Sequence, residues 1–431
     1  VTDPDLLEPE RLGPAPPVPE RRSLLRLATI DLGPLRRRRD FRLLFFGQGL
    51  SFLGSMVTFV AVPFQAYELT GSSLVVGLIA AAELPPILVT AFLGGALADA
   101  FDRRRLVQIS ELALASGAAL LLVNSLLDEP RLWLIFVAAI VLAAFDGIQR
   151  PPLDSLEPRL VERDELPAAS ALGSFRMNVG MIAGPALGGV LIATIGLPAT
   201  YAFDLATFAF SLLMLSLMRA VPPPPGAERP SLRRVKEGIR YAASRQELVG
   251  TYSVDFVAMF FGMPMALFPA YANEFGGPEV LGVLYAAPAV GSLVVSLTSG
   301  WVAHVHRHGL AVALAAAAWG VAMIGFGLAQ SLAVAVVALA AGGGADTISG
   351  IFRGVIWNQT VPDELRGRVA GIEQISYSSG PTLGNLEAGV VAALTSVRTS
   401  IVSGGILCVA AVAVAALALP AFRRYDAREP V

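Results

Sequence analysis

Three ionisable side chains interrupt stretches that are otherwise apolar, and each is a candidate for chemistry. Glu83, in AAELPPI, stands about nine residues into one such stretch, beside a Pro-Pro pair that loosens the helix backbone. At about 1.5 Å of rise per residue this is about 13 Å below the surface. A charge at that depth costs on the order of several kcal/mol unless paired or hydrated, so a carboxyl there is a candidate to take up and release a coupling proton. Arg176 and Asp255 lie nearly as deep in two further stretches. Each is open to two readings, a structural ion pair or a contact across the interior to a substrate. Asp146, Asp204, Asp346 and Glu373 fall nearer the ends of theirs, where water or a helix terminus is expected to satisfy them.

Such groups need apolar rods to hold them, and the composition supplies these. Of 431 residues, 55% are hydrophobic and 15% charged, with a mean hydropathy of +0.64, whereas soluble domains carry about 25% charge. Windows of about 20 apolar residues, the length that crosses a bilayer as a helix, fall at 41–67, 74–98, 106–126, 131–150, 169–194, 198–219, 249–272, 280–303, 310–329, 331–352, 368–395 and 399–422. Lipid offers the backbone no hydrogen-bond partner, and the short alternating pattern of barrel strands is missing. The expectation is an all-α membrane protein with twelve transmembrane helices.

Several functions are disfavoured on the same grounds. A net charge of −2 suggests no nucleic-acid partner. The sole cysteine, Cys408, excludes an internal disulfide and a cysteine-based metal cluster. The one lysine, Lys236, follows no glycine-rich loop, so the chain is not expected to hydrolyse ATP. His304, His306 and His308 alternate in a short basic loop with no acid beside them, and no metal is assigned there. The clustered aspartates or His-Asp motif of a membrane-embedded enzyme do not occur, and neither catalytic residues nor a cofactor are expected.

Basic residues in short loops stay on the cytoplasmic side. Arg36 to Arg39 precede the first window, Arg103 to Arg105 follow the second, and Arg150, Arg159 and Arg163 follow the fourth. Arg233, Arg234, Lys236 and Arg240 follow the sixth, Arg307 the eighth, Arg366 and Arg368 the tenth, and Arg423 and Arg424 the last. Arg131 and Arg398 are the exceptions in the alternate loops. Both termini are therefore expected in the cytoplasm. Residues 1–35 read as a disordered tail and 36–220 as a first six-helix bundle. Residues 221–248 read as a linker whose short amphipathic helix is capped by Ser231 and shows Leu232, Val235 and Ile239 on one face. Residues 249–422 form the second bundle and 423–431 a closing tail.

The bundles repeat each other at an offset of about 200 residues. FQAYELTGSSLVVGL (64–78) aligns with FPAYANEFGGPEVLGVL (268–284), GGALAD (94–99) with SGWVAH (299–304), and GPALGG (184–189) with GPTLGN (380–385); Arg150 matches Arg353. Two parallel six-helix repeats meeting at a midplane site describe an alternating-access transporter.

Residues 95–107, GALADAFDRRRLV, resemble the signature between the second and third helices of the major facilitator superfamily. Gly95, Leu97 and Asp99 take the first, third and fifth positions, and Arg103 and Arg104 the basic ones; Ala100 and Asp102 depart from the usual arginine and glycine. The resemblance implies an inner-gate latch, with Asp99 facing a base or helix N-terminus and the arginines engaging carboxylates of the neighbouring bundle. GMIAGPALGG (180–189) is similar to the superfamily's antiporter signature, through Gly180, Gly184, Pro185, Gly188 and Gly189, with Gly380, Pro381 and Gly384 as second-half counterparts. Gly180, Gly184 and Gly188 make a flat stripe, expected to pack against the opposite bundle. That signature occurs mainly in exporters. PRLVERDELPAASALGSF (158–175), AFDLATFAFSLL (202–213) and LRGRVAGIEQISYSSGPTLG (365–384) resemble the branch containing siderophore exporters and macrolide-type efflux pumps. The middle of the fourth window lacks the arginine that many antiporters of the superfamily keep.

The resemblance implies the major facilitator fold in a cytoplasmic-membrane monomer that exports a bulky small molecule in exchange for protons. Symport uptake of a nutrient is the alternative. Gln48, Ser51, Met259 and Met263 are expected to line its cavity.

Overall fold

The computed structural model describes residues 31–221, 232–362 and 365–428. The tail as far as residue 30, and the linker over 222–231 with its expected cap Ser231, lie outside them. The described residues form α1 (Arg39–Thr70), α2 (Ser73–Ala100), α3 (Arg103–Ser125), α4 (Leu132–Leu156), a double-length α5 (Leu166–Leu217), α6 (Leu232–Ser244), α7 (Gln246–Gly262), α8 (Phe268–Asn273), α9 (Pro278–Leu297), α10 (His308–Leu328), α11 (Leu332–Thr360), α12 (Arg366–Leu394) and α13 (Val397–Ala418). Ten helical stretches are long and apolar enough to cross a membrane. The chain is a multi-pass α-helical membrane protein.

Twelve rods are reached because α5 is two arms and because α12, more polar than the ten, is itself 29 residues long. The arms meet at Gly196, whose φ of 80° no other residue type adopts readily. Both arms return to α1: Gly180 and Gly188 of the first meet Phe52 and Val57, while Met214 of the second meets Gly47. α5 is thus a hairpin, as the two separate windows anticipated. Local chemistry places other ends. Gly71 closes α1 at φ 63°, and Ser331 and Ser396 accept from the third backbone N–H of α11 and α13.

Rods alternate in direction, so the chain enters and leaves on one face, called here the terminal face; the other is the distal face. At the entry Arg38 ties the start of α1 to the connection before α5, donating to Glu165 at 2.7 Å and pairing with Glu162. At the exit, the Ala427 N–H donates to the His306 carbonyl. Arg131 and Arg398, the two bases on the distal face, each sit beside an acid, Glu129 at 3.2 Å and Glu274 at 2.7 Å.

The seventh window is broken rather than continuous. Between Gly262 and Leu267 the chain leaves the helix, and three neighbouring rods satisfy the freed groups. Trp319 donates to the Gly262 carbonyl at 3.0 Å, Asn385 accepts from the Ala266 N–H at 2.7 Å, and Tyr285 donates to the Met265 carbonyl at 3.1 Å.

Candidate functional site

The two bundles meet through glycine. Gly77 of α2 lies against Asn385 and Leu386 of α12, where a Cβ would sit 2.6 Å from the Asn385 carbonyl oxygen. Gly282 of α9 faces Gly189 of α5, with 3.0 Å between its notional Cβ and the Gly189 Cα. Gly389 closes on Ser73 in the same way. All four glycines lie in the distal half, and the Phe59 and Tyr285 rings pack across the same seam at 5.3 Å. The contacts obey the internal repeat: Gly77 and Gly282 are equivalent, as are Asn385 and Gly189.

This corrects the reading of the glycine stripe. Gly180, Gly184 and Gly188 face Phe52, Met56 and Val57 of α1, within their own bundle. Gly380 and Gly384 likewise face Met259 and Phe260 of α7. Gly189, one residue round the helix, and the Pro185 carbonyl one turn before it reach the other bundle at Gly282, because a stripe at i, i+4, i+8 defines one face and α1 already occupies it. We expect Gly282→Leu to force the distal seam apart. Overpacking costs about 1–3 kcal/mol, enough to shift an open–closed equilibrium about tenfold. Faster thiol labelling of a cysteine placed at Phe59 would report it; an unchanged rate would contradict the seam.

Glu83 lies six residues along α2 from Gly77, about 9 Å at 1.5 Å per residue. It is half-buried, and Asp146 of α4 is the charged neighbour that bears on it. Asp146 and Arg150 pair along α4 at 3.1 Å with both side chains more than half exposed. The helix outruns its apolar window to Leu156, so Arg150 belongs to the rod and not to a loop.

Arg176 binds Glu157 at the end of α4 at 2.7 Å, with 14% of its side chain exposed. The pair lies inside one bundle and does not cross the interface. Asp255 of α7 forms an ion pair with Arg353 of α11, and Asp346 stands 3.5 Å from the same guanidinium. Thr251, Gly350, Glu373 and Tyr377 join Asp255 and Arg353 around a cavity of about 80 Å³. Counting Arg353 as a loop base hid it from sequence reading; α11 continues to Thr360.

The inner-gate motif is only partly described. α2 runs through it, Leu97 is half-buried, and the side chains of Gly95 and Asp99 lie outside the described residues. Asp102, the departure from the signature, caps α3 by accepting from the Arg105 N–H at 3.0 Å. Arg104 donates to the carbonyls of Leu215 and Ser216 at 2.6 and 2.8 Å, so it ties down the last rod of its own bundle instead of a carboxylate of the other. Arg103 is buried, with its backbone N–H on the Val221 carbonyl.

Sequence reading missed Glu111. It is fully buried on α3 and accepts from Gln48 at 2.7 Å, Gln149 at 2.9 Å and Ser51 at 3.2 Å. Gln48 and Ser51, expected in the cavity, thus turn into their own bundle. Met259 does the same, against Gly380. Asp204, expected near a rod end, is also fully buried, and the Thr58 and Thr207 hydroxyls donate to it.

Two six-rod repeats that meet through a distal glycine seam have the architecture of a major facilitator superfamily transporter. The chain belongs to the transmembrane secretion effector family, whose model matches residues 29–430. It is 29% identical over 377 residues to the enterobactin exporter EntS of Citrobacter koseri, covering 87% of this chain and 91% of that one. With EntS of Shigella boydii serotype 4 the identity is 28% over 404 residues, or 93% and 97% of the two chains. Its fold is that of a POT family transporter solved with 5-aminolevulinic acid, at a TM-score of 0.70, 10% identity and coverage of 89% and 97%. The nucleoside transporter NupG aligns with a TM-score of 0.67 at 12% identity, covering 89% and 98%.

Proposed function

We propose that the protein exports a bulky, partly apolar small molecule from the cytoplasm in exchange for protons, and that enterobactin-like siderophores are the first substrates to test. Relatives named as enterobactin exporters align over nearly their whole length. The terminal face carries the basic loops, so it is the cytoplasmic one in a bacterial inner membrane. The distal glycine seam is then the outer gate, closed in this structure.

The observation that carries the proton reading is Glu83. It is a carboxyl just below the outer seam, with no hydrogen bond or ion pair among the described residues and a second carboxyl, Asp146, beside it. A carboxyl without a partner in a membrane-spanning rod stays ionised only at a cost, so a proton enters or leaves as its hydration changes with the cycle. Asp255 and Arg353 supply the opposite bundle with a polar pair that a substrate can displace. Latching by Asp99, Arg103 and Arg104 would close the inner face in the other state, with the protein acting as a monomer. The deciding experiment places purified protein in proteoliposomes under an imposed pH gradient and follows enterobactin and a macrolide panel. Movement against a concentration gradient, collapsing with a protonophore, is expected; movement indifferent to the pH gradient rejects proton coupling.

A further inference from the structure

Polar side chains form a column through the N-terminal bundle, along the seam between α1 and the second arm of α5. At its distal end the Tyr201 hydroxyl donates to Gln65 at 2.8 Å, and Gln65 lines a cleft of about 480 Å³ at the distal face. Next along α1 comes Thr58 on Asp204, and then Gln48, which donates to both Ser211 at 3.0 Å and Glu111. Asp204 and Glu111 are 0% exposed, and Glu111 bears on Asp204 through space.

What surrounds these carboxyls is neutral. Glu111 meets Gln48 and Ser51 from α1, Gln149 from α4 and Ser211 from α5. Asp204 meets Thr58 from α1 and Thr207 from α5. Among the described residues, the charged group shown to bear on Asp204 is Glu111, and none is shown to bear on Glu111. Two buried negative charges with no cation beside them among the described residues are held at great cost in a membrane-spanning bundle, whereas a protonated carboxyl there is an ordinary hydrogen-bonding group. A metal cation is the poorer occupant. Amide N–H groups already stand at 2.7 and 2.9 Å from one Glu111 oxygen, so that oxygen is used in accepting. The repeat sharpens the point: α10, the counterpart of α3, carries no ionisable side chain from Gly309 to Leu328. The bundle gains nothing structural that its twin needs. At the mouth of the column Gln65 lines the cleft, and its amide nitrogen is buried with no hydrogen-bond partner among the described residues.

We propose that Asp204 and Glu111 are proton-carrying groups of the transport cycle, fed from the distal cleft through Gln65 and Tyr201. This rests on the proton-driven reading above but names residues other than Glu83. Losing the Glu111 proton would place a charge where α1, α3, α4 and α5 meet, and so loosen the seam that α1 shares with α5.

The test is infrared spectroscopy of the full chain in detergent, titrated with acid and base in water and in heavy water, for wild type, Glu83→Gln, Glu111→Gln and Asp204→Asn. Wild type should show protonated-carboxyl C=O bands that shift in heavy water; Glu111→Gln and Asp204→Asn should each lose one, and Glu83→Gln should keep both. Gln48→Leu leaves the carboxyl but removes a donor, and should move the Glu111 band toward the frequency of a free acid. Tyr201→Phe should slow exchange of the Asp204 band by about tenfold. Wild-type bands unchanged in Glu111→Gln and Asp204→Asn, or bands that respond to sodium and not to acid, overturn the proposal. Loss of a band only in Glu83→Gln would leave the Glu83 reading standing and reject this one.

Discussion

Glu83→Gln should abolish transport driven by a pH gradient while leaving substrate binding within about twofold of wild type. The amide keeps the size and the hydrogen-bonding reach of the acid but has no proton to exchange. Nothing in the described structure ties Glu83 to a partner, so the exchange costs the fold little; the variant should purify and bind like the parent. Downhill movement of substrate should persist, because the bundles can still rock, and only its coupling to protons is lost. Binding measured by tryptophan fluorescence, together with proteoliposome flux with and without a gradient, separates the two quantities. Undiminished gradient-driven flux would remove Glu83 from the mechanism.

Arg353→Met should be the most damaging single change in the C-terminal bundle. It leaves Asp255 and Glu373, which share one small cavity, and Asp346 beside them without their common cation. Breaking a buried pair from one side costs about 3–5 kcal/mol, chiefly the burden of the charge left behind. Asp255→Asn in the same chain should recover part of that loss, since it removes one of the stranded charges. Thermal unfolding in detergent reads the effect, with the single variant well below wild type and the double variant between them. If the second change lowers the unfolding temperature further, Asp255 and Arg353 are not coupled as the geometry has them. Transport should fall by about a hundredfold or more in the single variant, as expected of a pair that also lines the route for substrate.

The rods were legible because a bilayer demands about twenty apolar residues and leaves little choice of structure. Where windows and helices disagree, the reason is polarity at the ends. α4 and α11 run on to Leu156 and Thr360 through Arg150 and Arg353, since a helix at the terminal face need not stop where the lipid does. That extension turned an assumed loop base, Arg353, into the partner of Asp255. Gly180, Gly184 and Gly188 were visible as a stripe, but periodicity states which residues share a face and not which neighbour that face meets. Asp204 and Glu111 show the same limit. Their burial follows from hydroxyls and amides on other rods, Thr58, Gln48 and Gln149 among them, which nothing in the local sequence announces. The break after Gly262 was likewise hidden, because Trp319, Tyr285 and Asn385 that satisfy it are distant in the chain.

The central claim is that two bundles rock about the distal seam. It is tested most directly by distances between paired spin labels in a Cys408→Ser background, one pair at Leu69 and Leu394 on the distal face and the other at Phe101 and Leu297 on the terminal face. The account predicts two populations for each pair, a lengthening on one face accompanying a shortening on the other, with their ratio moved by acid in wild type and not in Glu83→Gln. A single distance for each pair at every pH, or two faces that widen together, would contradict it.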